Sequence, residues 1–147
     1  MKSEQIIKIR KFLILFFVIG ISTLSFGQTI RQKDKYGVPL FFVEGQTIKQ
    51  KDKYGNALYY HDGFTIRQKD KYGSALYFID GQTIKLKDKY GASMYYFDGF
   101  TIRQKDKYGK ALYFIDGQIL KLNDKYGKAI YYFEDIPKRW VIACIIK

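Results

Sequence analysis

The sequence predicts an all-β fold, a ring or closed array of repeated antiparallel β-hairpins, on three observations. An 18-residue unit recurs six times, two turn signals alternate within each copy, and no stretch beyond residue 27 sustains helical periodicity. The clearest copy runs from Gly63 to Asp80, and Gly99 to Asp116 matches it everywhere except Lys110 for Ser74. A unit this short cannot bury an apolar face alone, so its copies must pack against one another.

Taken in chain order, the first segment stands apart from the repeats. Lys2, Lys8, Arg10 and Lys11 precede the apolar run Phe12 to Ile21, and Ser25-Phe26-Gly27 offers small residues at both cleavage positions. This pattern is that of a signal peptide over residues 1–27, cleaved after Gly27. The run from Phe12 to Phe26 is 15 residues long and interrupted by Ser22, Thr23 and Ser25, against the ~20 that a spanning helix needs. The expectation is a secreted or periplasmic protein with no stable membrane span after cleavage. No cysteine follows the cleavage site to carry a lipid, and the lone Cys144 sits in an apolar stretch where a buried, inert thiol is expected.

Residues 28–147 then form a single β-repeat domain, with repeats at about 28–44, 45–62, 63–80, 81–98, 99–116 and 117–134. Asp34-Lys35-Tyr36-Gly37 returns at 52–55, 70–73, 88–91, 106–109 and 124–127. Asp first and Gly fourth is the signature of a type I turn, with the Asp capping its own backbone and the Gly expected at positive φ. Asp-Gly pairs at 62–63, 80–81, 98–99 and 116–117, with Glu44-Gly45 as a variant, predict two-residue type I′ hairpins. Between the turns, Thr-Ile-Arg-Gln-Lys alternates polar with apolar, and Ala-Leu-Tyr-Phe-Ile is aromatic and β-branched. Tyr77 is expected opposite Ile84, and Leu76 opposite Lys85.

Charge favours a ring over the alternative, a hairpin β-solenoid. Stacked coils would set Arg31, Lys49, Arg67, Lys85, Arg103 and Lys121 in one ladder ~4.8 Å apart, each beside like charges. Hairpins fanned round an axis separate them. At the far end Pro137 breaks the pattern, and 139–147 is expected as a closing strand that plugs the core or pairs with Thr29 to Lys33, since so apolar a strand is hazardous on an edge.

The Asp-Lys-Tyr-Gly corners, the Asp-Gly turns, the export signal and the Trp140-Val141-Ile142-Ala143 terminal segment resemble the β-flower proteins of Gram-negative bacteria, over residues 28–147. The resemblance implies a shape and no activity. Six corners against five Gly-headed junctions, at 45, 63, 81, 99 and 117, leave five or six petals open. A longer period lies inside the first: Arg and Lys alternate along the six cationic positions, and aromatic doublets alternate Tyr-Phe with Tyr-Tyr from 59–60 to 131–132. Duplication of a 36-residue block explains this economically, and two alternating ligand environments are the functional reading.

Little chemistry is available for catalysis. Beyond residue 27 the chain has one His (His61), one Cys and two Ser (Ser74 and Ser93), so no Ser-His-Asp or Cys-His set has credible members. His61 reads as a tolerated substitution beside a turn. The aspartates are explained by turn capping, which ranks a paired-Asp hydrolase last, and one carboxylate per turn falls short of the ~6–8 oxygens calcium takes. No cofactor or metal is expected.

What remains is a basic surface interleaved with Tyr. The whole chain carries net charge +12, and most corners have two adjacent lysines, a surface that concentrates anions. The plainer reading gives Lys the task of keeping strands soluble and Tyr that of filling the core with its hydroxyl at the rim. The functional expectation is a non-enzymatic exported module of the cell envelope, structural or binding, with a lectin-like binder of anionic polysaccharide as the alternative. Its candidate anion-binding ring is Arg31, Lys49, Arg67, Lys85, Arg103 and Lys121, its partner an anionic polysaccharide or envelope component, and nucleic acid a poor partner for an exported chain.

Overall fold

The computed structural model describes residues 27–147, so the signal-peptide segment lies, but for Gly27, outside the described residues. Twelve antiparallel strands follow one another round a closed ring. They are β1 (Gln28–Gln32), β2 (Pro39–Glu44), β3 (Thr47–Gln50), β4 (Ala57–Asp62), β5 (Thr65–Gln68), β6 (Ala75–Asp80), β7 (Thr83–Leu86), β8 (Ser93–Asp98), β9 (Thr101–Gln104), β10 (Ala111–Asp116), β11 (Ile119–Leu122) and β12 (Ala129–Phe133). Because direction alternates, every Asp-Lys-Tyr-Gly corner lies at one end, the corner rim. Every Gly-headed turn lies at the other, the turn rim.

The ring settles the petal number at six. Five petals are hairpins closed by the Gly-headed turns, and the sixth joins the two ends of the domain, β1 with β12. Its register repeats that of the hairpins: Ile30 faces Phe133 as Ile48 faces Val43, and Gln32 faces Tyr131 as Gln50 faces Phe41. Glu134 stands in for the missing turn, its carboxylate accepting the Thr29 amide at 3.0 Å and pairing with Arg31 at 3.6 Å. Closure leaves no strand edge exposed.

The expected closing strand is instead a helix, α1 (Arg139–Ile145), and Trp140 through Ile146 are all buried. With every edge already used, a strand there would have no partner for its amides, whereas a helix satisfies its own backbone. A segment apolar on all sides suits burial on all sides. The helix fills the ring against inward-facing layers that include the wholly buried Ile30, Ile48, Ile66, Ile84, Ile102 and Leu120. Its last carbonyls find hydroxyls on the wall: Tyr131 donates to Ile145 O at 3.3 Å and Tyr113 to Lys147 O at 2.7 Å.

Both turn chemistries differ in detail from expectation. At the turn rim Glu44 pairs with Thr47, leaving Gly45-Gln46 as the central residues. Only the glycine takes positive φ, at +58°. This is the pattern of a type II′ turn rather than I′, with Asp or Glu ending the strand. The register therefore moves: Tyr77 faces Leu86, Phe78 faces Lys85 and Ile79 faces Ile84.

At the corner rim the type I turn is present, with Gly37 N–H donating to Asp34 O at 2.9 Å and Tyr36 N–H to the Asp34 carboxylate at 2.9 Å. Gly37 is not at positive φ. It is glycine because a Cβ there would lie 1.7 Å from the Gln32 carbonyl oxygen. Positive φ falls one residue before the Asp, on Lys33, Lys51, Lys69, Lys87, Lys105 and Asn123, at 60–67°. Asp34 N–H closes onto Gln32 O at 2.7 Å around Lys33, a γ-turn of the strained hand.

No helix among the described residues is long and apolar enough to cross a membrane. The strands, of four to six residues, are about half the ~9–11 of a membrane-spanning strand.

Candidate functional site

The six cationic positions singled out by spacing form a belt on the outer wall, and each is engaged on both sides. Lys49 Nζ reaches Glu44 at 2.9 Å and Lys53 O at 3.1 Å, Lys85 reaches Asp80 at 2.8 Å and Lys89 O at 3.0 Å, and Lys121 reaches Asp116 at 2.7 Å and Lys125 O at 2.9 Å. The arginines do the same with Gly carbonyls: Arg103 binds Asp98 at 3.0 Å and Gly109 O at 3.2 Å, Arg67 binds Asp62 and Gly73 O, and Arg31 binds Glu134 and Gly37 O. Each cation braces a corner to a turn-rim carboxylate, so the belt is charge-balanced, six against six.

The 36-residue period is a matched set of contacts within this belt. Arg31, Arg67 and Arg103 face Tyr132, Tyr60 and Tyr96 across the ladder, while Lys49, Lys85 and Lys121 face Phe42, Phe78 and Phe114. The residue after the turn glycine follows suit. Tyr60 and Tyr96 hydroxyls meet Gln46 and Gln82 at 3.0 and 2.8 Å, and Phe78 and Phe114 rings meet Phe64 and Phe100 at 6.1 and 6.4 Å. Polar and apolar blades alternate because neighbours must agree in kind.

Unneutralised charge gathers at the corner rim. Lys33, Lys51, Lys69, Lys87 and Lys105, with Lys35, Lys53, Lys71, Lys89, Lys107 and Lys125, are all exposed there beside six corner aspartates. Each of those aspartates is committed to a tyrosine amide, from Tyr36 round to Tyr126, at 2.8–2.9 Å. The six tyrosines, Tyr36, Tyr54, Tyr72, Tyr90, Tyr108 and Tyr126, are 84–85% exposed. Over each ring sits the ammonium of the preceding lysine, 4.9–5.0 Å from the centroid. Two strand spacings of ~4.8 Å separate neighbouring corners, so this aromatic–cation motif recurs roughly every 10 Å round the rim.

Filling the core is the task of a different set of tyrosines. Tyr59, Tyr77, Tyr95, Tyr113 and Tyr131 pack with Phe41 around the helix, and burial raises the pKa of Tyr59, Tyr95 and Tyr131. The corner tyrosines could have been told apart in sequence: the third position of a capped type I turn lies outside strand alternation, so no pleat directs it inward.

The remaining titratable groups are structural in setting. His61 stacks on Trp140, centroids 4.9 Å apart and rings 7° from parallel, with no hydrogen-bond partner at Nε2. Desolvation lowers its pKa. Burial pushes the Cys144 thiol far up, away from the reactive thiolate. No group of three or more His, Cys, Asp or Glu is placed to hold a metal among the described residues. Compared with known protein families, curated proteins and solved structures, the chain matches none.

Proposed function

We propose that this protein is an exported, non-enzymatic binding module, a six-petalled relative of the β-flower proteins, whose corner rim holds an anionic polysaccharide of the cell envelope or its surroundings. One observation carries the reading: six nearly fully exposed tyrosines, each capped by a lysine ammonium, repeat round a single rim. Aromatic faces suit the apolar faces of sugar rings, and the free lysines suit their acid groups. Repetition lets weak contacts sum along one polymer.

Backbone strain adds support. A lysine in the left-handed region is less comfortable than Asn or Gly, by roughly 1 kcal/mol. Asn123 occupies the sixth such position, so the turn accepts Asn, yet five copies keep lysine. A positive charge aimed from the rim is a reason to keep it. The carboxylates point away from hydrolysis, since corner aspartates cap amides and turn-rim carboxylates pair with belt cations.

The test is a glycan array with the mature protein at two salt concentrations. Binding to uronate or sulfated polymers, absent for neutral ones and weakened steeply by salt, is the expected result. Retention of neutral glycans alone, or no glycan binding at low salt, would overturn the reading.

A further inference from the structure

We infer that the seam where the first and last repeats meet holds a second site, distinct from the repeated rim, that takes a small amphiphile bearing a single acidic group. A cleft of about 850 Å³ opens there between the first corner and the start of β12, and reaches down to the end of α1. Its volume lies within the ~300–1,000 Å³ typical of small-molecule sites. The apolar wall is Val38, Leu122, Ile130, Ile145 and Ile146. Lys33, Lys128 and Lys147 line it with one carboxylate, Asp34, already engaged with the Tyr36 amide.

Tyr113 and Tyr131 also reach the cleft, but their hydroxyl protons are given to the helix carbonyls of Lys147 and Ile145. Recognition of an acid group therefore falls to the ammonium groups, and recognition of its body to the aliphatic wall. The net excess of positive charge argues for one anionic head rather than a neutral ligand.

The site is peculiar to the seam for a reason visible in sequence. The residue after each corner glycine is the position where the copies differ most: Val38, Asn56, Ser74, Ala92, Lys110 and Lys128. Only at the seam do a valine corner and a lysine corner flank one opening, beside a helix end held by Tyr113 and Tyr131. The corresponding cleft between the second and third corners is lined by Gln50, Asn56, Ala57, Leu58, Gln68, Lys69 and Asp70, and reaches no helix residue.

The experiment is a fluorescence titration of the mature chain with 1-anilinonaphthalene-8-sulfonate, followed by displacement with dodecanoate and with dodecanol. One saturable site per chain is expected. Val38→Trp, at a position 61% exposed and so tolerant of size, should fill the cleft and weaken the probe about ten-fold or more. Ser74→Trp, the same change at another corner, should leave it unaltered. Lys128→Glu should weaken dodecanoate several-fold and spare dodecanol. Absence of saturable binding, or equal affinity in the two tryptophan variants, would overturn the site. Equal effects of Lys128→Glu on acid and alcohol would overturn the acidic head. Polysaccharide binding unchanged by Val38→Trp would separate this site from the rim, so either proposal can fail alone.

Discussion

The two rims are built from the same 18-residue unit and end up chemically opposite. At the turn rim each acidic residue meets a belt cation, the glycines take positive φ, and α1 enters the ring with Trp140 stacked on His61. At the corner rim the glycines are there for close approach to a carbonyl, the strained positions are lysines, and tyrosines stand in solvent. One end spends its charges on holding the ring together. The other leaves them free, and that separation is what a repeat confers: every petal adds to the same asymmetry.

The largest expected effect concerns the plug that both rims enclose. Trp140, Val141, Ile142, Ile145 and Ile146 are buried, and at ~1.5–3 kcal/mol each their loss approaches the ~5–15 kcal/mol of a whole domain. Deleting 139–147 should abolish cooperative unfolding in a thermal melt. A folded, soluble ring after the deletion would show that the strands close without the helix.

The glycines separate the rims next. Gly73→Ala would place a methyl 1.6 Å from the Gln68 carbonyl oxygen, and Gly81→Ala would meet nothing within 4 Å but sit at φ +59°. Urea titration should give about 2–3 kcal/mol or more for the first, an overpacking cost. About 1 kcal/mol is expected for the second, the cost of a left-handed L-residue. The reverse order would contradict the assignment of the two turn types.

Much of this was legible in sequence. The all-β class, the two alternating turns and the ring followed from the 18-residue period and from charge repulsion along Arg31 to Lys121. The helix did not, because Val141, Ile142 and Ile145 have β propensity and only the absence of a free edge makes helix the better choice. The turn types were misassigned because Asp-Gly reads locally as a type I′ centre, while the register that moves Asp into the strand is set across the ladder, Asp80 with Thr83. The belt cations stood out by spacing, but spacing carries no information about the carboxylate five residues earlier that engages Lys49, Arg67, Lys85, Arg103 and Lys121.

Smaller effects sharpen the contrast. At the turn-rim end, His61 has its folded pKa held below the ordinary value, about 6.5, by desolvation. The neutral ring's contribution is complete above that value and is lost as pH falls towards the folded pKa. Thermal stability should decline below about pH 6.5, and His61→Phe, which keeps a ring against Trp140, should lessen the decline. An unchanged pH profile would remove His61 as the cause. At the corner end, Lys69→Asn should stabilise by about 0.5–1 kcal/mol, and Asn123→Lys should cost a similar amount. No difference in either melt would mean that the strain is absorbed elsewhere.

The most direct test sets corner against belt in one titration of the mature protein with alginate, a uronate polymer, at low salt. At ~0.5–1 kcal/mol for each aromatic–cation corner, the triple change Tyr72→Ser, Tyr90→Ser and Tyr108→Ser should weaken binding by roughly ten- to a hundred-fold. Arg67→Ser with Arg103→Ser, whose cations are already paired, should weaken it far less. Equal or greater loss from the belt variant, with its fold intact by thermal melt, would contradict the assignment of the corner rim as the binding face.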